Sequence, residues 1–460
     1  MAPMLEGCTP WPEEFVDRYC AAGHWRGSTL DDLLRGRALE HGPRTALVHG
    51  ATRITYGQLN RRVDRMAAGF RLRGVRPGRR VVVHLPNVPE FVIAVFALMR
   101  SGAVPVPCPP AYRAAEVSEV ALLTQAVGYV GPGTYGGFDH TAMAADIAAR
   151  WPFLRRVFTV EPPGESSPYG GARTDPAGCH YFPLDSVDAP PGPALQQSAG
   201  QVALLLPCGS TSGAPLLVPR THDDLAYQAR AAAELVSLTA DDVYLAALPA
   251  GSHLALGGPG ILGTFSVGGT VVLAEDPGPG PAATDATLAP HAALAAVARE
   301  RVTVTSVVPE VARSWLDALP AARADLSSLR LVQIGGAPVP RTTAERLAPA
   351  LGCRLQQVFG GVGGPLVLTR PADPDATVLA GQGRPLSPDD EIRLVDGAGR
   401  DVADGETGEL LARGPYTPRG HYRAPEHDAR AFTADGYLRT GHLARRTPTG
   451  DLVVTGRVEG

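Results

Sequence analysis

One stretch of the chain has the residue types of an anion-binding loop. An apolar run at residues 204–207 leads directly into small and hydroxyl residues at 209–213. Backbone N–H groups and hydroxyls at the end of a strand can hold a phosphate or another anion. Taken alone, a loop of this composition is more often a plain turn. The stretch is therefore a candidate phosphate site that needs support from the rest of the sequence.

Alternating strands and helices must position this loop. A β-branched run at 80–85, a helix at 89–100 that starts with proline, and a strand at 104–108 form one βαβ unit. Helical spacing predicts a helix at residues 30–40, with Thr29 as its N-cap, and a second helix from Thr55 to Gly69. A strand is predicted at 45–49. Further units of strand and helix are predicted at 121–130, 302–315 and 329–334. This alternation predicts an α/β fold with parallel, helix-covered sheets.

The C-terminal part of the chain has a different pattern. From Gly383 onward, short strands and turns follow at close intervals, which predicts a small antiparallel β lobe. Residues 162–199 and 275–284 are rich in Pro and Gly and are predicted loops. We therefore expect a first α/β subdomain at 1–200, a second at 201–382 that carries the phosphate loop, and a β-rich lobe at 383–460 that ends at a hinge.

Charge and composition exclude several classes of function. The 42 basic residues are all arginine, and with 46 acidic residues the net charge is −4, so no overall basic field favours nucleic acid. The longest apolar stretch, residues 91–99, is too short to cross a membrane, and the N-terminus does not resemble a signal peptide. Six scattered cysteines have no metal-binding spacing. We expect a cytoplasmic protein with neither nucleic-acid nor membrane partners.

Longer motifs then support the candidate loop. They are residues 11–15 (WPEEF), 85–87 (LPN), 219–224 (PRTHDD), 356–360 (QQVFG), 414–417 (GPYT), 422–427 (YRAPEH) and 435–441 (DGYLRTG). Through these strings the chain resembles the adenylate-forming superfamily, and within it the 2,3-dihydroxybenzoate–AMP and salicylate–AMP ligases. The resemblance implies that family's fold and a chemistry that joins an aryl acid to ATP, with Mg²⁺, before the acyl group passes to a thiol.

The resemblance also implies which positions form the site. The nucleotide would contact Gly209, Ser210, Thr211, Gly213, Gly336, Ala337, Phe359, Gly360, Arg439 and Arg457. The acid pocket would be lined by His253, Gly258, Gly335, Val358 and Gly361. His253 takes the place of an asparagine that addresses the ring hydroxyl in the family. A histidine there is also compatible with a core or surface role.

Three positions depart from the family pattern in ways that affect ATP chemistry. Leu216 stands where the phosphate loop has a lysine, and leucine cannot neutralise a phosphate. Gly363 stands where the family has the glutamate that ligates Mg²⁺. His442 replaces the aspartate that accepts both ribose hydroxyls. No intact catalytic residue and no metal ligand is therefore predicted.

The hinge motif of the family falls on residues 456–460, where Arg457 matches. We expect the small mobile domain that follows the hinge in the family, and that carries its catalytic lysine, to be absent.

The leading hypothesis is a catalytically degenerate aryl-acid–AMP ligase homologue, a pseudoenzyme of a siderophore or nonribosomal-peptide pathway. It would need no ATP or Mg²⁺ and would bind a carrier protein, an intact ligase or a small carboxylic acid. One alternative is a slow ATP-dependent ligase, or one that a partner completes. Another is an ATP-independent acyltransferase that uses a preformed adenylate or thioester, with His253 as base.

Overall fold

A computed structural model of the chain describes residues 4–161, 172–209, 215–274 and 290–458. The described helices are α1 (Glu13–Ala21), α2 (Leu30–Glu40), α3 (Tyr56–Leu72), α4 (Pro89–Arg100), α5 (Ala114–Thr124), α6 (His140–Arg150), α7 (His222–Leu235), α8 (His253–Gly257), α9 (Gly260–Val267), α10 (Pro290–Glu300), α11 (Pro309–Ala318), α12 (Arg341–Leu351), α13 (Asp375–Ala380) and α14 (Pro425–Ala431).

The described strands are β1 (Thr45–His49), β2 (Thr52–Thr55), β3 (Arg80–Val83), β4 (Val104–Pro107), β5 (Gly128–Pro132), β6 (Thr134–Tyr135), β7 (Phe138–Asp139), β8 (Arg156–Val160), β9 (Arg173–Thr174), β10 (His180–Pro183), β11 (Val202–Cys208), β12 (Leu216–Thr221), β13 (Val243–Ala246), β14 (Thr270–Leu273), β15 (Val304–Val307), β16 (Leu331–Gly335), β17 (Arg354–Phe359), β18 (Val367–Leu368), β19 (Arg384–Pro385), β20 (Glu391–Val395), β21 (Thr407–Arg413), β22 (Leu438–Arg446) and β23 (Leu452–Arg457).

Two largely parallel sheets form the body of the protein. The larger has nine strands in the order β19-β18-β17-β16-β15-β13-β14-β1-β2, and its six central members, β17 to β1 in that order, are parallel. The smaller has six strands in the order β4-β3-β5-β8-β10-β9, parallel except for β9. This arrangement confirms the predicted α/β class.

Helices between the sheets give them a shared core. One cluster of buried side chains contains Val81 and Val83 of β3 together with Tyr244 of β13 and Val271 of β14. Apolar residues of α3, α4, α7 and α9 belong to the same cluster. Both sheets therefore pack on one helical layer, which fixes the strand ends that carry the candidate site.

Local sequence explains where several helices begin. Thr29, Thr55 and Thr221 each accept a hydrogen bond from the third residue of the helix that follows, and that residue's side chain binds back in a capping box. Proline occupies the first turn of α4. The predicted helix starts after Thr29 and Thr55 and at Pro89 are confirmed.

The C-terminal strands β20 to β23 pair consecutively as a four-stranded antiparallel sheet, which confirms the predicted β lobe. The predicted loop at 162–199 is wrong in part, because its described residues include β9, β10 and a 3-10 helix at Leu184–Ser186. The pairing of β10 with β8 extends the smaller sheet, and a local reading of Pro and Gly missed it. The predicted loop at 275–284 lies outside the described residues.

The predicted boundaries at residues 200 and 382 stay predictions. The sheets do not follow the order of the chain, because β1 and β2 from the first 60 residues complete the larger sheet beside β14. In the part of the chain that the structure describes, no helix is both long and apolar enough to span a membrane.

Candidate functional site

Two neighbouring strand ends of the larger sheet form the base of the candidate site. Gly335 closes β16 opposite Val358 of β17, and a Cβ on Gly335 would lie 2.5 Å from the Val358 carbonyl oxygen. Gly336 follows with φ +85°, a conformation that favours glycine. Ala337, Phe359 and Gly360 continue from these ends. The structure thus brings together the residues predicted to flank the adenine and the acid.

The hairpin of β11 and β12 carries the candidate phosphate loop. Cys208, the last residue of β11, pairs with Leu216, the first residue of β12, so Gly209 leaves the sheet at the hairpin end. The predicted contacts Ser210, Thr211 and Gly213 lie outside the described residues. Leu216 is half-buried at this end. It places an isobutyl group where the family pattern has an ammonium group.

The glycine-rich turn after β17 runs beside this hairpin. A Cβ on Gly363 would lie 3.3 Å from Cγ2 of Val218 in β12. Arg220, also in β12, donates from Nη1 to the Val362 carbonyl oxygen at 3.3 Å. The turn also contains Gly361, so Leu216 and Gly363 belong to two segments that contact each other directly.

A buried arginine network, which the sequence did not predict, links these segments to α8, the helix that carries His253. The side chain of Arg220 has no exposed surface, and its Nε donates to Asp224 Oδ1 at 2.7 Å. Its Nη2 donates to Gln228 Oε1 at 2.8 Å, and Gln228 Nε2 donates to the Gly257 carbonyl oxygen at 2.8 Å. The four-residue spacing of Asp224 and Gln228 places these two side chains on one face of α7, but Arg220 precedes that helix in β12, so its place in the network is not visible in the sequence.

His253 begins α8 directly after Ser252. Both ring nitrogens of His253 and the Ser252 hydroxyl are buried, and none has a hydrogen-bond partner among the residues the structure describes. Burial, and to a smaller degree the Arg220 charge, lowers the pKa of His253 to about 3. Gly258 follows α8. An uncharged imidazole with unused donor and acceptor positions is suited to bind a polar group on a ligand.

His442 lies in β22 with its ring edge against the ring of Phe359, at a centroid distance of 5.0 Å. Its Nδ1 is 2.9 Å from the Thr440 carbonyl oxygen, and Arg457 is its partner across the β22–β23 pair. Burial, with a smaller contribution from Arg457, lowers the pKa of His442. The structure thus brings His442 to the base of the site, but as a neutral side chain already bonded on one edge.

The two predicted arginines differ in their surroundings. Arg439 donates from Nη1 to Glu409 Oε2 at 2.5 Å, so a carboxylate of the lobe already compensates its charge. Arg457 is exposed and stands opposite His442. Arg439 is therefore already paired, whereas Arg457 forms no ion pair among the described residues.

The donor set at the implied metal position does not fit Mg²⁺. Gly363 offers no side-chain oxygen, and the described ranges contain no group of three or more His, Cys, Asp or Glu residues arranged to hold a metal ion. Hard cations such as Mg²⁺ are bound through carboxylates and other oxygens.

Comparison with known proteins agrees with this architecture. Residues 34–422 match the AMP-binding enzyme family. The chain is 41% identical to the 2,3-dihydroxybenzoate-AMP ligase of Bacillus subtilis, covering 99% of this chain and 80% of that protein. It is 42% identical to the salicyl-AMP ligase / salicyl-S-ArCP synthetase of Mycobacterium tuberculosis, covering 99% of this chain and 77% of that protein.

A solved structure agrees as well. The apo structure of MbtA from Mycobacterium smegmatis superposes with a TM-score of 0.88 at 41% identity, covering 99% of this chain and 81% of that one. These similarities extend over the two sheets, the hairpin and the lobe that carry the candidate site. The chain belongs to the AMP-binding, adenylate-forming enzyme family, as a homologue of its aryl-acid–AMP ligases.

Proposed function

We propose that this protein is a catalytically degenerate aryl-acid–AMP ligase homologue that acts by binding rather than by adenylation. The observation that carries the proposal is the set of three residues Leu216, Gly363 and His442, which stand where the family pattern has a phosphate cation, a metal carboxylate and a ribose carboxylate. We place it in the cytoplasm, in a siderophore or nonribosomal-peptide pathway.

Electrostatics support the loss of ATP binding. A triphosphate that enters the site loses hydration, and this cost is recovered only if cations and N–H donors replace the lost water. Leu216 supplies no charge, Gly363 supplies no metal ligand, and Arg439 is already held by Glu409. The site therefore compensates poorly for the β- and γ-phosphates.

The acid pocket supports a binding role. His253 and Ser252 keep three buried polar atoms without partners in the described structure, and such atoms cost free energy unless a ligand satisfies them. We propose an aromatic carboxylic acid with a ring hydroxyl as the small-molecule ligand. The Mycobacterium tuberculosis relative is named as an ArCP synthetase, so we propose a carrier protein, or an intact ligase that serves one, as the protein partner.

The low pKa of His253 argues against the acyltransferase hypothesis, in which His253 acts as the base. A general base works best when its pKa lies near the working pH. The pKa of His253 is about 3, so its imidazole is a weak base at neutral pH.

Calorimetry with MgATP tests the proposal. We expect the protein to bind MgATP with a Kd of about 1 mM or weaker. The triple variant Leu216→Lys/Gly363→Glu/His442→Asp restores the three charged groups, and we expect it to bind at least about 100-fold more tightly, because charge-assisted hydrogen bonds each contribute ~1.5–3 kcal/mol.

The matched control Leu216→Met/Gly363→Ala/His442→Asn changes the same positions without adding charge and should leave the affinity unchanged. If the unchanged protein bound MgATP with micromolar affinity, the ATP-dependent ligase hypothesis would be supported instead. Equal affinities of the two triple variants would show that these positions do not face the nucleotide.

A further inference from the structure

Six arginines cluster at one edge of the smaller sheet, away from the strand ends that form the candidate site. We call this cluster the arginine edge; it consists of Arg71, Arg73, Arg76, Arg79, Arg155 and Arg156. It lies at the amino ends of β3 and β8, which begin at Arg80 and Arg156. Gly335 and Phe359, by contrast, lie at the carboxyl ends of strands in the larger sheet.

Backbone and ring contacts hold the arginine edge together. Arg156 donates from Nε to the Arg73 carbonyl oxygen, and the Arg73 guanidinium lies 4.5 Å from the centroid of the Phe182 ring. Arg155 donates from Nη1 to the Ala177 carbonyl oxygen at 3.0 Å. The backbone N–H of Arg79 donates to the Arg76 carbonyl oxygen in the turn before β3. These contacts hold the arginine residues in place, but carbonyl oxygens and an aromatic ring do not neutralise the charge of the guanidinium groups.

The positive charges of the arginine edge are not compensated by carboxylates. Within the described ranges none of the six arginines forms an ion pair at 4.0 Å or less. Asp175 and Asp188 of the same region are bonded elsewhere, to Tyr181 and to Arg65. Burial lowers the pKa of Arg156, and the charge of Arg76 lowers it further. Like charges are thus held together at a cost to folding, in a chain whose net charge is −4.

One exposed apolar side chain adjoins the arginine edge in the sequence. Leu72 ends α3 between Arg71 and Arg73, and 72% of its surface is exposed. Arg76, Arg79 and Arg155 are also exposed. Protein interfaces combine an apolar centre with a polar rim and are enriched in arginine. A polyanion that needs only phosphate contacts would gain nothing from an exposed leucine.

We propose that the arginine edge, together with the neighbouring Leu72, is a docking surface for an acidic amphipathic helix of a partner protein. Glutamate or aspartate side chains of that helix would pair with the guanidinium groups, and one apolar side chain would cover Leu72. The surface is separate from the candidate acid and nucleotide positions. The proposal therefore does not depend on whether the protein binds ATP.

Fluorescence anisotropy on the full chain tests this proposal. The probe is a labelled 18-residue amphipathic helical peptide with glutamates on both sides of a row of leucines. We expect salt-dependent binding that Arg76→Glu/Arg79→Glu/Arg155→Glu weakens by at least ~10-fold and Leu72→Ser by ~3-fold or more. The control Arg313→Glu/Arg346→Glu/Arg430→Glu changes the net charge equally at exposed arginines elsewhere and should change the affinity less than 2-fold.

Three outcomes would overturn the proposal. The first is that the unchanged protein does not bind the peptide, and the second is that the control triple variant loses as much affinity as the arginine-edge variant. The third is that a 20-nucleotide DNA, or vesicles with 30% phosphatidylserine, bind more tightly than the peptide. If the charge-reversal variant does not fold, as judged by circular dichroism, Arg76→Gln/Arg79→Gln/Arg155→Gln takes its place. We expect that variant to weaken binding at least ~3-fold.

Discussion

At the scale of single residues, His253 differs from the other buried histidines in having no bonding partner in the described structure. His222 accepts a hydrogen bond at Nδ1 from the backbone N–H of Leu30, and His84 bonds through Nδ1 to the Tyr129 hydroxyl at 3.0 Å. Both ring nitrogens of His253 are unsatisfied. Natural proteins rarely leave such groups unsatisfied, which supports the proposed role of His253 as a ligand contact.

Substitution of His253 distinguishes a ligand contact from a structural core residue. We expect His253→Leu to raise the apparent free energy of unfolding by about 1 kcal/mol, because it removes unsatisfied buried polar atoms. The same variant should lose the increase in melting temperature that millimolar salicylate or 2,3-dihydroxybenzoate gives the unchanged protein. Thermal unfolding with and without each acid measures both effects.

His222→Leu is the matched control and should lower stability by about 1–2 kcal/mol, because it leaves the Leu30 N–H without its acceptor. If His253→Leu destabilised the protein to the same extent and left the response to the acids unchanged, His253 would be a structural residue.

At the scale of elements, the Arg220 network joins three segments that are far apart in sequence. It contacts α7 through Asp224 and Gln228, α8 through Gln228 and the Gly257 carbonyl oxygen, and the glycine-rich turn through the Val362 carbonyl oxygen. Asp224 also accepts from the backbone N–H of Thr221 and so caps α7. One guanidinium group thereby links α8, which carries His253, to the turn that carries Gly363.

Loss of this guanidinium should be costly. We expect Arg220→Met to lower the apparent free energy of unfolding by about 3–5 kcal/mol, since it leaves Asp224 as a buried charge without its partner. Hydrogen exchange should rise at 253–257 and 361–364, the segments that the network holds. Arg341→Met is the control; its pair with Glu345 is exposed, and a change of at most ~1 kcal/mol is expected. Equal effects of the two substitutions would contradict this account.

The element scale also shows what could be predicted from sequence. Helix starts at Thr29, Thr55 and Pro89 follow from caps and periodicity, which are local, and all three were predictable. The pairing of β10 with β8 and of β1 with β14 depends on distant partners that local patterns do not specify. For the site, the three departures at Leu216, Gly363 and His442 were visible in the motifs. The Arg220 network and the unpartnered Ser252 hydroxyl required coordinates, because their meaning lies in which atoms face each other.

At the scale of the whole molecule, four buried histidines couple stability to pH. Burial lowers the pKa of His84 and His253 to about 3 and of His140 and His222 to about 4. A histidine in the unfolded chain has a pKa near 6.5. The unfolded chain therefore binds more protons between these values. The stabilisation is fully present above about pH 6.5 and is lost as the pH falls toward the folded-state values.

The contribution of Asp390 to stability changes with pH in the opposite direction. Burial raises its pKa to about 7, although the Tyr416 hydroxyl and the Ser387 N–H both bond to it. Its contribution is most favourable at low pH and is lost as the pH rises toward 7. Burial also raises the pKa of Asp223 and Asp224, which therefore act in the same direction as Asp390. We expect the four histidines to outweigh these three carboxyls, which gives a net loss of stability on acidification.

We expect the apparent free energy of unfolding to fall by several kcal/mol between pH 7 and pH 4.5, at ~1.4 kcal/mol per pKa unit for each histidine. Melting temperatures recorded across this range at constant ionic strength measure the change. His84→Gln should reduce the loss by about 2–3 kcal/mol. Leu39→Gln, at an exposed position of α2, changes no titratable group and should leave the pH dependence as it is. If stability rose on acidification, the lowered pKa values of the four buried histidines would be contradicted.

The place of β1 in the larger sheet has a consequence for synthesis on the ribosome. β1 is made early, but its parallel partner β14 emerges only after roughly 220 more residues. At ~5–20 residues per second, translation takes on the order of tens of seconds to cover that interval. During this time Ala46, Leu47 and Val48, all buried in the finished protein, lack the strand that covers them. The nascent chain therefore presents an open, apolar strand to chaperones until β14 leaves the exit tunnel.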